Sequence, residues 1–370
     1  MEVCILMKDF LTNPVIQEDM ENIFAREVPV RELFGRTVLV SGATGMLASY
    51  LVYYLIWLNE RQAADIRIIA LVRNREKAER RFGRYLSLPY FSVRTDDICK
   101  PLMIEESVDY IVHAASLASP QFYGSNPVEV AAPNTLGTYY MLELAKRKSV
   151  RGFLYFSTGD IYGKMLGGRT VFDEEQMGIM NPLDEHSCYG ESKRMGETWC
   201  ASFAREYGVP TRVARIAHTY APTMDIENDP RVFSAFMKCL LHGKDIVMLS
   251  DGTAKRPFCY ITDAIAAFLL ILLKGKDGEA YNVANTEQFI SIGELADIIS
   301  TLDSGEHVKV VHQSRRNCDA YMENRSNHQN CPLTNKLKAL GWECQYDVKS
   351  GFQRVLRYKR YEQMFIGSAG

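Results

Sequence analysis

Tyr189 and Lys193 stand four residues apart in Cys188-Tyr189-Gly190-Glu191-Ser192-Lys193-Arg194. One helical turn separates them, so both side chains project from one face. An ammonium beside a phenol favours the phenolate and lowers its pKa. A Tyr drawn from about 10 toward neutrality can take a hydroxyl proton while a hydride leaves the same carbon. The spacing alone says little in a chain with 20 Tyr. It gains weight from what precedes it. Thr158, in Ser157-Thr158-Gly159-Asp160-Ile161-Tyr162-Gly163, follows an apolar run and can donate a hydrogen bond to a reacting hydroxyl or the ketone formed from it. Asp160 is a second ionisable group at the same place. A carboxylate there can shuttle a proton at a carbon next to a ketone; a helix N-cap or turn Asp would read the same.

Ser41-Gly42-Ala43-Thr44-Gly45-Met46-Leu47-Ala48 has G-x-x-G-x-x-A spacing, follows the apolar run Thr37 to Val40 and opens a helical pattern. Small residues there permit a tight turn and let backbone approach a pyrophosphate resting on the helix N-terminus. Gly42, Thr44, Gly45, Met46, Leu47 and Ala48 are therefore candidate dinucleotide contacts. The next apolar run ends Leu71-Val72-Arg73-Asn74. NAD sites place a ribose-binding acid at this point. Arg73 can instead pair with a 2′-phosphate, which leans toward NADP; a solvated strand-end Arg reads the same. Asp97 and Ile98 are candidate adenine contacts, although an acidic turn looks alike. Arg256, in Gly252 to Phe258, and Arg231, after Asp229-Pro230, carry forks suited to a diphosphate or carboxylate. His218, just past a strand end, can contact substrate or serve as a satisfied structural histidine.

The elements that must position these residues alternate in period. Apolar runs at Thr37–Val40, Ile66–Val72, Val108–His113, Gly152–Ser157 and Val213–Ala217 read as buried strands. Helical patterns run from Met46 to about Asn59, from about Asn134 to Lys148, and through the segment carrying Tyr189 and Lys193. This order predicts an α/β fold, a Rossmann-type doubly wound parallel sheet with a smaller C-terminal substrate-binding lobe. Residues 1–34 form an N-terminal helical extension, helical over Pro14–Ala25. Residues 35–220 form the dinucleotide-binding domain, with part of the sheet completed by later segments. Residues 221–370 form mainly the lobe, with helices at Arg231–His242, Thr262–Lys274 and Ile292–Leu302. The cleft between lobe and sheet is the natural ligand site. The polar segment Gln313–Cys331 reads as a surface loop.

The 370 residues suffice to bury a large core, and 47% hydrophobic with 24% charged residues is ordinary for a globular chain. A net charge of −2 gives no basic surface for nucleic acid. The nine Cys are scattered, with no zinc spacing, which predicts no metal site and reduced thiols in a cytoplasmic protein. No segment reads as a signal peptide or a membrane span; Ala264–Leu273 is too short to cross and reads as a buried helix.

Together these segments resemble the extended short-chain dehydrogenase/reductase family, in its nucleotide-sugar epimerases, dehydratases and decarboxylases. The likeness runs over about residues 36–345. It is greatest to the UDP-glucuronate decarboxylases (UDP-xylose synthases). His113-Ala114-Ala115-Ser116-Leu117-Ala118-Ser119-Pro120 is similar to that group's H-x-A-S-P-A-S-P loop, and Cys188 through Thr198 to its C-Y-x-x-x-K-R-x-x-E-T helix. Arg215 through Pro222, Asp229 through Phe236, Arg256 through Tyr260 and Leu340-Gly341-Trp342 match further segments. The resemblance implies a Thr158, Tyr189 and Lys193 triad and Arg256 near the substrate diphosphate. It also implies Ala114 at the cofactor, with Ser116 and Ser119 at the substrate. It implies NAD as cofactor, a nucleotide-diphosphate sugar as substrate, and a homodimer paired through two helices. Tyr189 would deprotonate the sugar C4 hydroxyl, and the C4 ketone would acidify C5.

The sequence departs from that pattern around the sugar. Gly159 and Asp160 stand where dehydratases carry Asp-Glu and decarboxylases Ser-Glu. His218 replaces Asn, Ala221 replaces Gly, Leu117 replaces Pro and Arg73 replaces the ribose-binding Asp. A late Arg that grips the diphosphate has only Arg325 as a loose counterpart. Gly159 cannot protonate a leaving hydroxyl, which counts against 4,6-dehydration. Loss of a carboxylate beta to a ketone tolerates Gly159. The ranking is therefore decarboxylation first, 4-epimerisation next, then dehydration. A non-catalytic dinucleotide sensor is the reading outside enzymology.

Overall fold

The computed structural model describes residues 10–168, 170–303, 305, 308–313 and 331–367, so Arg325 and nearly all of the predicted 313–331 loop lie outside the described residues. Seven strands form the central sheet: β1 Thr37–Ser41, β2 Arg67–Val72, β3 Phe91–Thr95, β4 Tyr110–His113, β5 Gly152–Thr158, β6 Thr211–Ile216 and β7 Glu279–Val283. Their order is β7-β6-β5-β4-β1-β2-β3, and every pairing is parallel. This is the predicted doubly wound sheet. β1, β4 and β5 are buried at every position, which is why they read as unbroken apolar runs rather than alternating ones. The strand order reverses between β1 and β4, and a crevice opens there at the carboxyl ends.

Helices cover both faces. They are α1 Pro14–Phe24, α2 Met46–Gln62, α3 Arg75–Phe82, α4 Pro127–Ala132, α5 Thr138–Lys148 and α6 Ser187–Tyr207. The later part of the chain adds α7 Val232–Leu241, α8 Ile261–Lys274, α9 Ile292–Ser300 and α10 Val348–Gly367. α2 has no polar side: Ala48 through Leu58 are buried without a break. A helix apolar all round must be covered on its outer side as well. The N-terminal segment does this. Phe10 stacks on Tyr53 with centroids 3.9 Å apart, and Phe24 lies 5.6 Å from Trp57. α8 is likewise buried from Ile261 through Leu272.

Two helices differ from their sequence reading. α2 runs three residues beyond Asn59 and stops where Ala63 takes a left-handed conformation at φ 50°. Asn59 then ties the helix end to β2, donating to Ile66 O at 2.8 Å and accepting from Ile66 N at 2.7 Å. The predicted helix over Asn134–Lys148 is two pieces, a π-helical turn at Pro133–Gly137 and then α5. Proline removes a ladder donor. Gly137 also lets the Ile98 side chain come within 2.7 Å of where a Cβ would sit. No helix among the described residues is long and apolar enough to cross a membrane.

Candidate active site

The turn after β1 is shaped by one glycine. Gly42 has φ +64°, and a Cβ there would lie 2.6 Å from Ala115 Cα and 2.7 Å from Ala115 N. Both the turn and the close approach of the 114–115 backbone thus require glycine. Gly45 is the N-cap of α2 and offers no side-chain cap, leaving first-turn N–H groups to an external acceptor. Thr44, Met46 and Leu47 are half-buried around this turn and Ala48 is buried.

The crevice wall opposite is braced by a buried polar chain. Ser41 Oγ lies 2.7 Å from His113 Nδ1 and accepts from Ala114 N and Ala115 N at 3.2 and 3.3 Å. His113 Nε2 lies 3.1 Å from Thr138 Oγ1, which donates to Asn134 O at 2.7 Å. Burial, with the Lys193 charge nearby, pushes the His113 imidazole down to about 3, so it is neutral. Ala114 and Ser116 are thereby fixed at the β4 end. Ser116 Oγ is buried without a hydrogen-bond partner, an orphan suited to a bound ligand. Ser119 is half-buried at the start of the next 3₁₀ turn.

At the end of β5, Thr158 is buried and its Oγ1 accepts from Asp160 N at 3.2 Å. The Thr158 side chain lies beside the Tyr189 phenol and opposes the rise of its pKa. Tyr189 is buried at 7% exposure, and its ring stacks on Tyr123 at 5.2 Å and 17°. Lys193, one turn along α6, donates to Phe156 O at 2.6 Å and lies 5.9 Å from the Tyr189 ring centre. Strand β5 and helix α6 thus bring Thr158, Tyr189 and Lys193 together. Asp160 is exposed beside them.

The electrostatics correct one expectation. Tyr189 is not acidified: burial pushes its phenol up, and the Asp160 charge adds to this, against smaller opposing effects of Thr158 and Arg231. Lys193 cannot win because its ammonium is spent on the Phe156 carbonyl and is itself desolvated, which pushes it down to about 7. In this structure Tyr189 is a neutral phenol beside Thr158.

His218, Arg231 and Arg256 come from the later part of the chain; the Arg231 charge reaches Tyr189, and both arginine charges reach His218. His218 is exposed, its ring edge-on to Phe258 at 5.9 Å. Crowding by surrounding protein and the charges of Arg256 and Arg231 push its imidazole down. Arg231 is held by Asp229 through bonds of 2.9, 2.9 and 2.5 Å and lies over the Phe233 ring. Arg256 is half-buried on the short strand Lys255–Pro257. At the far end of the crevice, Arg73 is exposed beyond β2. Asp97 closes a turn by accepting from Cys99 N at 3.0 Å, and Ile98 packs under Gly137.

Some positions carry weight that the sequence reading did not assign. Tyr123 backs the Tyr189 ring, and its own hydroxyl donates to Ala118 O at 3.1 Å. Glu197 and Arg215 form a buried pair at 2.8 Å beneath the β5 end. Their signal was in the chain as a Glu one turn beyond Lys193 and an Arg inside an otherwise buried strand.

A family model described as the NAD dependent epimerase/dehydratase family matches residues 38–284. UDP-glucuronic acid decarboxylase 3 of Arabidopsis thaliana is 34% identical over 316 residues, covering 85% of this chain and 86% of that protein. UDP-glucuronic acid decarboxylase 1 of Xenopus tropicalis is 30% identical over 352 residues, covering 93% of this chain and 78% of its own length. Among solved structures, a UDP-glucose 4-epimerase of Thermotoga maritima superposes with a TM-score of 0.74 at 24% identity, covering 88% of this chain and 99% of that one. A Bordetella bronchiseptica enzyme in complex with NAD+ gives 0.70 at 19%, covering 91% and 96%. At those identities the likeness speaks for the fold alone.

Proposed function

The chain belongs to the NAD-dependent epimerase/dehydratase family, and from that premise we propose that it oxidises a nucleotide sugar at C4 and then decarboxylates it. Such an enzyme is a lyase acting on a UDP-glucuronate-like substrate. The observation that carries this reading is the buried Tyr189 phenol beside Thr158, with Lys193 one turn away and anchored on Phe156 O at 2.6 Å, next to a position that offers no acid. A Cβ at Gly159 would meet only Ile216 O, at 3.9 Å. The space is open, and no side chain fills it to protonate a leaving group.

The residues present fit the family's dinucleotide. Gly42 supplies a cradle that a Cβ would fill, the α2 N-terminus is uncapped, and Ser116 Oγ is an orphan. Gly42, Thr44, Gly45, Met46, Leu47, Ala48 and Ala114 would hold it, with Asp97 and Ile98 toward its adenine end. When bound, NAD supplies reversible acceptance of hydride from a sugar carbon. The chain's own part is proton handling. Thr158 and Tyr189 converge on one oxygen, the C4 hydroxyl. Tyr189, as the phenolate left once its own proton has passed to water, takes the C4 hydroxyl proton as the ketone forms, and Thr158 keeps a donor on the ketone oxygen. A carboxylate on C5 is then beta to a ketone and leaves as carbon dioxide with little acid–base help. Arg231 and Arg256 are the cations placed to hold the diphosphate, with His218, Ser116 and Ser119 around the sugar. Asp160 is placed for proton return at C5.

Three finer points belong to the same reading. Arg73 favours a 2′-phosphate, so NADP is a competing cofactor, read by comparing turnover with the two dinucleotides. Val128, Leu136 and Met195 leave apolar surface exposed on α4, the π turn and α6, which supports a homodimer through these helices, read by sedimentation. No disulfide is formed among the described cysteines, in keeping with a cytoplasmic setting. The function is tested by incubating the protein with a panel of nucleotide sugars and NAD, read by mass spectrometry. A loss of about 44 mass units from a uronate marks decarboxylation. Loss of water, or an epimer of unchanged mass, overturns the reading in favour of dehydration or 4-epimerisation.

A further inference from the structure

Beneath the catalytic end of β5 lies an ion pair that the proposed reaction does not touch. Glu197 follows Lys193 by one turn of α6, so the two side chains share a face. Lys193 Nζ is anchored on Phe156 O, and Glu197 Oε1 accepts from Ser157 Oγ at 2.5 Å, the next residue of β5. Arg215 grips the same carboxylate with Nε at 3.1 and 3.2 Å and Nη2 at 2.8 Å. Arg215 is in turn fixed by the Tyr162 hydroxyl at 3.1 Å and by Glu174 O at 2.7 Å. Both charged side chains are nearly sealed, at 8% and 12% exposure. An ion pair removed from water gains little stability over an apolar pair, so its retention directs attention to what its charge does to neighbours.

The neighbour is Lys193. The groups facing its ammonium are the Tyr155 ring of β5 at 4.8 Å, the Tyr189 ring at 5.9 Å, His113 of β4, and Cys200 and Glu197 of α6. His113 is neutral, and burial pushes the Cys200 thiol up and keeps it protonated. Glu197 is thus the formal anion of this set. We propose that Glu197 is a positioning residue: clamped between Ser157 and Arg215, its carboxylate favours the charged form of Lys193 at the place where Phe156 O anchors it. The inference rests on the reading of Thr158, Tyr189 and Lys193 as the site. It adds that the charge state of that site is set one turn below it. Against strong desolvation, the opposing effect on Lys193 comes first from Glu197.

The test reads Lys193 directly, without turnover or cofactor. Isotope-edited NMR of lysine Cε atoms follows its titration, with the signal assigned by its loss in Lys193→Arg. In Glu197→Gln the midpoint falls by about one pH unit, the scale of a unit charge one helical turn away in a protein interior. In Arg215→Met the carboxylate loses its counter-charge and the midpoint rises. The double variant replaces the ion pair with neutral groups and is the one suited to folding if the single variants fail. It still lowers the midpoint, because Glu197 stands on Lys193's own helix. An unchanged midpoint in the double variant, or shifts of one sign in both single variants, overturns the proposal and leaves the pair a brace. If no nucleotide sugar is turned over while Lys193 still follows Glu197, the proposed function fails and this inference stands. Turnover with an unmoved Lys193 is the reverse.

Discussion

That Tyr189 and Lys193 share one helical face was legible from their spacing, but the acidity of the phenol was not. Spacing along a helix places two groups on one face. It does not reveal that Lys193 finds a carbonyl at 2.6 Å or that both groups are sealed from water. The consequences can be measured. Tyr189→Phe removes the proton acceptor and leaves the Tyr123 stack, so turnover falls by about 10²–10⁴-fold in a protein whose melting temperature and dinucleotide binding hold. Lys193 carries a stability signature of definite sign. Its folded pKa of about 7 lies below the unfolded 10.5, so between those values the unfolded chain binds more protons. Stability therefore rises with pH across that window, by about 3 kcal/mol over about 2.5 pH units. Chemical denaturation at about pH 7 and pH 9.5 should show the rise in wild type and its absence in Lys193→Met. Gly42 is the opposite case. Its glycine turn was readable from the sequence, and the Ala115 backbone at 2.6 Å from a notional Cβ supplies the reason.

Most helices and strands were legible because their apolar periods are clean; the exceptions have local causes. The π turn at Pro133–Gly137 hides inside an uninterrupted helical pattern, and only the packing of Ile98 into Gly137 accounts for the glycine. That α1 packs on the body, rather than forming a partner-binding arm, is the plain reading of residues 14–25 and is what the structure shows; which of its acids is buried was not legible. In the structure Glu18 and Glu21 are exposed, but one acid, Asp19, points inward. Asp19 is fully buried, accepts from the Tyr50 and Tyr260 hydroxyls and pairs with Arg354 of α10. Burial pushes its carboxyl up to about 6, the Arg354 charge opposing. Arg26, just past α1, pairs with buried Asp263 of α8 at 2.6 Å. Asp263 also accepts from Gln345 N and Tyr346 N, at 3.1 and 3.2 Å. α1 is therefore a clamp joining α2, α8 and α10. Arg26→Met leaves Asp263 charged in a sealed site and should cost about 3–5 kcal/mol, read as a lowered urea midpoint. Exposed Arg75, paired with Glu79 on the surface, is the control: Arg75→Met should cost under about 0.5 kcal/mol.

The whole molecule sets how these parts respond together. The change along the chain from alternating periods to Pro- and Gly-punctuated elements predicts a dinucleotide-binding half and a later lobe. Where the chain returns to the sheet was not legible, because β7 is five residues with no distinctive period. β7 pairs along β6 from Glu279↔Arg212 to Val283↔Ile216, so the late part of the chain supplies the edge of the early sheet. Tyr162 donates to Asn282 of that strand at 2.5 Å, tying the segment after β5 to it. One apolar cluster also runs from Phe10 through Tyr50 and Phe156 to Phe268, Leu337 and Phe352, crossing any boundary near residue 220. Two units sharing a sheet, a core and buried ion pairs have no cheap plane of separation. Calorimetry should accordingly give one cooperative transition, with calorimetric and van't Hoff enthalpies equal. A chain cut to residues 35–220 would expose the β6 edge and the outer side of α2 and should not fold alone. Two resolved transitions, or a soluble cooperative 35–220 fragment, would show instead that sheet and lobe are coupled only weakly across the cleft.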